Sequence, residues 1–102
     1  MLILAVVADG PRHGYAIARE IERRSANLLQ NGEGALYPAL RALERDGWLV
    51  SQWETQMSGP ARRVYKMTDE GGLKLAAQVK EWREFSQAVD TVLGGLLPPH
   101  PA

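Results

Sequence analysis

The apolar period of this chain changes twice, and those changes restrict the fold more than any other feature. Up to Arg45 apolar residues recur at helical spacing. Between Trp48 and Met67 they alternate, and after Thr68 helical spacing returns. Leu2 to Ala8 reads as a short buried helix ended by Asp9, Gly10 and Pro11. A second helix runs from near His13 or Gly14 to about Ser25. Tyr15, Ala18 and Ile21 share one face, Ile17 sits beside them, and Arg19, Glu20, Glu22, Arg23 and Arg24 fill the other side. Residues 26–32 form a loop carrying Leu28, Leu29 and an Asn31-Gly32 turn or helix-start signal. A third helix spans about Glu33 to Arg45, with Leu36, Leu40 and Leu43 in one stripe and Asp46-Gly47 as the stop. Pro38 removes a donor opposite the carbonyl of Gly34, which predicts a kinked or loosened first turn.

The alternating region predicts two short strands. Trp48, Val50 and Gln52 are expected on one face, and Val64 and Lys66 lie opposite Arg63, Tyr65 and Met67. Trp48 and Trp53 read as hairpin packing residues. The loop from Thr55 to Ala61 contains Ser58, Gly59 and Pro60, too long for a tight turn, so it projects from the hairpin's end. Thr68 is suited to cap the last helix, with Asp69 and Glu70 in its first turn. In that helix Leu75 is followed by Trp82, Phe85, Val89, Val92 and Leu96, spaced alternately by three and four, the seam of a coiled coil.

Three helices, a hairpin and a long helix describe a mainly α fold with a small β-hairpin. It is a winged helix-turn-helix over 1–68 with a C-terminal dimerisation helix over 69–97 and a Pro-rich tail at 98–102. In such a fold the second helix of the pair, 33–45, lies in the DNA major groove and the wing reaches the backbone. The 102 residues allow one domain, and so short a chain gains from sharing a core with a partner subunit. The absence of cysteine excludes disulfides and thiolate sites and suits the cytoplasm. The apolar first eight residues are too short to span a membrane and lack the basic segment of a signal peptide.

Formal net charge is zero, yet the charge is unevenly placed. Residues 12–66 carry nine basic and six acidic groups, whereas 67–102 carry three and five. Arg41 and Arg45 are one turn apart on the third helix, and Arg62-Arg63 adjoin the wing loop, as phosphate contacts require. No phosphate loop, nucleophile-base pair or metal-ligand cluster is visible, so neither an enzyme nor a metal or other cofactor is expected.

Four stretches carry a resemblance: LILAVVADGPRHGYAIAREIE at 2–22, GEGALYPALRALERDGWLVSQWE at 32–54, GPARRVYKMTDEG at 59–71, and EW at 81–82. Together they resemble the PadR family of transcriptional regulators, in its short form with one C-terminal helix. The resemblance implies a homodimer, usually a repressor, on double-stranded DNA with an inverted-repeat operator of ATGT-like and ACAT-like halves. It also implies release by a small planar aromatic or hydrophobic ligand. Family members usually carry further residues ahead of the position of Leu2, and a serine where Gly32 stands here, a weaker cap.

The candidate DNA-binding residues are Gly34, Ala35, Tyr37, Pro38, Arg41, Arg62 and Arg63, with Gly59 and Pro60 shaping the wing. The resemblance points Tyr37 at the DNA backbone; partial burial beneath the wing is its alternative. Gly34 and Ala35 either permit close approach to base edges, Ala35 meeting a thymine methyl, or simply fill the helix. Arg41 either contacts DNA or remains a solvated or paired charge. His13 reads as a helix-start residue packing locally. The candidate dimer interface is Leu75, Trp82, Phe85, Val89, Val92 and Leu96. The resemblance makes Trp82, with Phe85, a candidate ligand-binding pair between subunits; a core aromatic filling the interface is the alternative. A winged-helix protein-interaction module that does not read DNA is the competing function.

Overall fold

Gly10 has φ of +146°, a conformation that L side chains rarely adopt, and with Pro11 behind it the chain turns sharply out of its first helix. The computed structural model describes residues 1–30 and 33–96. Helix α1 (Leu2–Val7) precedes this turn and a two-residue strand β1 (Arg12–His13) follows it. Then come α2 (Gly14–Arg24), α3 (Glu33–Arg45), β2 (Leu49–Glu54), β3 (Arg62–Met67) and α4 (Asp69–Leu93), with a 3₁₀ turn at Gly94–Leu96. The Asn31-Gly32 signal, the Gly32 cap and the tail from Leu97 onward, including His100, lie outside the described residues.

The core is built from the apolar stripes of the first three helices. Leu4, Ile17 and Leu40 are fully enclosed, with Val6, Val7, Ala18, Ile21 and Leu36 around them. Full burial of each such aliphatic side chain contributes about 1.5–3 kcal/mol. Leu49 and Tyr65 close the core from the sheet. Pro38 lies inside α3 as expected, opposite the flexible Gly34. Tyr15 departs from expectation. It is 53% exposed, and Gly14 takes its place against the core.

The sheet has three antiparallel strands in the order β1-β3-β2, one more than the alternation predicts. Arg12 pairs with Tyr65 and His13 with Val64, so β3 is central. The hairpin runs in register from Leu49 opposite Met67 to Glu54 opposite Arg62. Strand β2 starts at Leu49, one residue later than expected, and Val50 and Gln52 share its outward face. Leu49 is 3% exposed and Val50 51%, since successive side chains of a strand point to opposite faces. Leu49, Ser51 and Trp53 thus share the face of Tyr65, which looks toward the helices.

Thr68 caps α4 in the expected manner. Its hydroxyl oxygen accepts a bond from the Gly71 amide at 3.0 Å and donates to the Gly47 carbonyl at 2.7 Å. This ties the end of α3, the hairpin and α4 together. The first turns of α4 lean on the core through the half-buried Leu75. From Lys80 onward the helix is almost wholly exposed.

Candidate nucleic-acid interface

The close approach of α2 to α3 depends on Gly14. A Cβ there would stand 3.3 Å from both Leu40 Cδ1 and Tyr37 Cε1 and 3.4 Å from Tyr65 Cε2. Without a side chain at this point, the start of α2 settles against two aromatic rings. A groove of about 570 Å³ opens beside this junction. Tyr15 of α2, Tyr37 and Arg41 of α3, and Trp53, Arg62, Arg63 and Tyr65 of the hairpin line it.

Among the described residues no acidic side chain lines the groove. The nearby ion pairs explain why its arginines remain available. Glu20 takes Arg23, Arg24 and, at 3.5 Å, Arg12, and Arg24 also pairs with Asp9. Glu44, one turn from Arg41, instead accepts a bond from the Ser51 hydroxyl at 3.0 Å. Among the described residues Arg41, Arg62 and Arg63 have no carboxylate within ion-pair distance. Three guanidinium groups on one concave surface form an anion site suited to phosphate. Burial pushes the Tyr65 phenol above its usual pKa, so it stays neutral.

Four of the seven residues expected at DNA meet in this groove: Tyr37, Arg41, Arg62 and Arg63. Gly34 and Pro38 are exposed on α3 outside it. Ala35, also exposed, borders a different depression of about 450 Å³, between α3 and Met1, Leu2 and Ile3. Gly59 has φ of +85° at the wing turn, and the Gln56 side-chain amide donates to the Pro60 carbonyl across it. His13 packs locally at the groove's edge, its Nδ1 buried without a partner. Tyr65 lines the groove without having been a candidate, and Tyr15 and Trp53 are the exposed groove residues that sequence reasoning missed. Both lie on faces that are core elsewhere, and Trp53 is 65% exposed rather than packed in the hairpin. Trp48 is half-buried, with the Lys74 ammonium 4.8 Å from its ring centroid.

On α4, Trp82, Phe85, Val89 and Val92 are exposed, and the Trp82 and Phe85 ring centroids are 6.1 Å apart. Leu96 is exposed in the terminal turn, whereas Leu75 is engaged by the chain's own core. Among the described residues no three His, Cys, Asp or Glu side chains converge as a metal site, and no helix is long and apolar enough to cross a membrane.

The fold and the site have known counterparts. A transcriptional regulator of Mycobacterium tuberculosis, Rv3488, is 38% identical over 93 residues, covering 91% of this chain and 80% of that protein. The structure of a transcriptional regulator from Clostridium thermocellum is similar with a TM-score of 0.84 at 25% identity, over 91% of this chain and 90% of that one. Bacillus subtilis PadR, solved in complex with operator DNA, shares the fold with a TM-score of 0.70 at 22% identity, over 76% of this chain and 44% of that one. The family model for PadR-like regulators matches residues 3–77. The family is one of transcriptional regulators and not of enzymes. By that match and by the mycobacterial relative, this chain belongs to the transcriptional regulator PadR-like family.

Proposed function

We propose that the protein is a dimeric repressor that binds an inverted-repeat operator and leaves it when a planar aromatic ligand binds. The groove carries this reading: three guanidinium groups and a tyrosine stand beside the exposed first turns of α3, and among the described residues no carboxylate pairs with them. In this reading α3 enters the major groove and Tyr37, Arg41, Arg62 and Arg63 hold the flanking phosphates. Gly34, Ala35 and Pro38 present a small apolar edge to the bases, which suits contact with thymine methyl groups.

The exposed stripe of Trp82, Phe85, Val89 and Val92 supports dimerisation through α4, since an isolated helix gains nothing by displaying such residues to water. The 25 residues of α4 extend roughly 37 Å, long enough to carry two reading heads. A ligand stacked on Trp82 between subunits changes the spacing of those heads only if it prefers one arrangement. Operator half-sites one helical turn apart, roughly 34–36 Å, make that spacing decisive.

A mobility shift with DNA from upstream of the gene tests the reading. Salt-sensitive binding to one segment, competed poorly by unrelated DNA, is the expected result. No preference for any upstream segment, at any salt concentration, refutes it in favour of a protein-interaction module.

A further inference from the structure

Two aromatic residues in the groove have no role in the core and no part in the contacts assigned above. Tyr15 and Trp53 are both more than half exposed, and they line the groove from different elements, α2 and β2. Each has an arginine against its ring. The Arg19 guanidinium carbon is 5.8 Å from the Tyr15 centroid, and that of Arg63 is 5.3 Å from the Trp53 centroid. Arg19 Nη1 also donates to the Tyr15 hydroxyl oxygen at 3.2 Å. The hydroxyl has therefore accepted from a cation, and its own proton is left to donate to another acceptor.

We infer that the groove seats one sugar-phosphate strand of DNA between Tyr15 and Trp53, each an aromatic ring backed by an arginine. This rests on the chain being a DNA-binding protein. It assigns Tyr15 and Trp53 as contact residues and Arg19 as a positioning residue behind Tyr15. The chemistry of the strand matches these side chains. Deoxyribose presents apolar edges that ring faces cover, and each phosphate presents oxygens to guanidinium and hydroxyl donors. Strand geometry explains why Trp53 is available. It continues the face of Leu49 and Ser51 beyond the point where the helices cover the sheet, opposite Arg63 in register. Stacking on the indole holds the Arg63 guanidinium on the groove side and reduces the entropy lost when it meets phosphate.

Backbone contact carries no sequence information, so a fluorescein-labelled random-sequence duplex is a sufficient probe. Fluorescence anisotropy at several salt concentrations measures affinity and salt slope for wild type, Y15F, W53A, W53F, R63Q and R41Q. A second reporter is the indole emission of a W48F/W82F chain, in which Trp53 is the one remaining tryptophan. Y15F and W53A are expected to weaken binding about two- to fivefold, and W53F to restore most of the loss. R63Q is expected to flatten the salt slope by about 0.9 for each phosphate released. Trp53 emission is expected to change on saturation with duplex, a reading that stands even if W53A does not fold. Wild-type affinity in Y15F and W53A with unchanged Trp53 emission overturns the inference; if R41Q is still weakened, the DNA-binding reading survives it. No salt-dependent binding by wild type overturns both. Displacement of bound duplex by a polyglutamate peptide with no change in Trp53 emission on DNA binding assigns the groove to an acidic protein and overturns the inference alone.

Discussion

Two adjacent glycines at the start of α4 should respond to alanine with opposite signs. Gly71 lies directly beneath the chain at Trp48. A Cβ at Gly71 would be 2.1 Å from the Trp48 carbonyl oxygen, 3.0 Å from its carbon and 2.9 Å from Met67 Cγ. Ordinary contact begins near 3.4 Å, so the two backbones must part by more than 1 Å. That displacement breaks the bond from the Thr68 amide to the Trp48 carbonyl, now 3.1 Å, which costs about 1 kcal/mol. Overpacking against backbone costs about 1–3 kcal/mol more, and the better helix propensity of alanine returns at most about 1 kcal/mol. The net loss for Gly71→Ala is about 1–3 kcal/mol, a fall in Tm of about 5–20 °C for a chain of this size.

Gly72 faces a different neighbour. A Cβ there would sit 3.4 Å from Met67 Cε, ordinary contact with the end of a flexible side chain. Only the propensity gain remains, so Gly72→Ala should stabilise by about 0.5–1 kcal/mol and raise Tm by about 2–6 °C. Thermal unfolding followed by circular dichroism, at one protomer concentration, reads both changes. A Gly71→Ala protein as stable as wild type, or a pair of variants that shift together, refutes the packing argument. Because the same contact joins the wing's root to α4, Gly71→Ala should also weaken DNA binding, whereas Gly72→Ala should not.

Other predictions concern charge and association. Arg23, aided by Arg24 and Arg12, holds the Glu20 carboxyl below its usual pKa. Its stabilising effect is present above the ordinary carboxylate range and is lost as pH falls through the lowered value. Glu20→Gln should therefore lower Tm at neutral pH and lose less stability on acidification below about pH 4; a Tm-versus-pH curve parallel to wild type rejects this. Phe85→Glu places a charge in the apolar stripe of α4 and should give monomers by sedimentation, while a dimer at micromolar concentration shows that the stripe is not the interface. Planar aromatic compounds should quench tryptophan emission in wild type and not in Trp82→Ala; equal quenching in both removes Trp82 from the ligand site.

How much was legible in the sequence depended on how local the determining physics is. The bounds of α3 and the Thr68 cap follow from residues within one or two turns, and both are as expected. The start of β2 differs by one residue because Trp48, large and apolar, looks like the first strand residue. The chain is still leaving the Gly47 turn there, so the true alternation starts at Leu49. Strand β1 is two residues long, below the length at which alternation can be seen. Tyr15 and Trp53 were missed for a tertiary reason. Each sits on the inward face of its own element, and only the packed arrangement shows that no neighbour covers that face there. The four groove residues that were found are charged or hydroxyl-bearing, and their chemistry is visible without the fold.

The zero net charge also gains a definite meaning from the structure. Asp9 and Glu20 engage Arg12, Arg23 and Arg24, so those arginines contribute little to a surface field. Within the groove the cations are Arg41, Arg62 and Arg63, and among the described residues none of them is held in an ion pair. Three phosphate contacts per copy give a slope of log affinity against log salt of about −2.7, and two copies acting together about −5.4. The Phe85→Glu monomer should therefore bind a random-sequence duplex with about half the salt slope of the wild-type protein. If the monomer keeps the full slope, a single head makes all the phosphate contacts and the α4 stripe contributes nothing to DNA binding. If both proteins show slopes well beyond these values, cations outside the groove take part, and the field would then belong to a wider surface than the three groove arginines define.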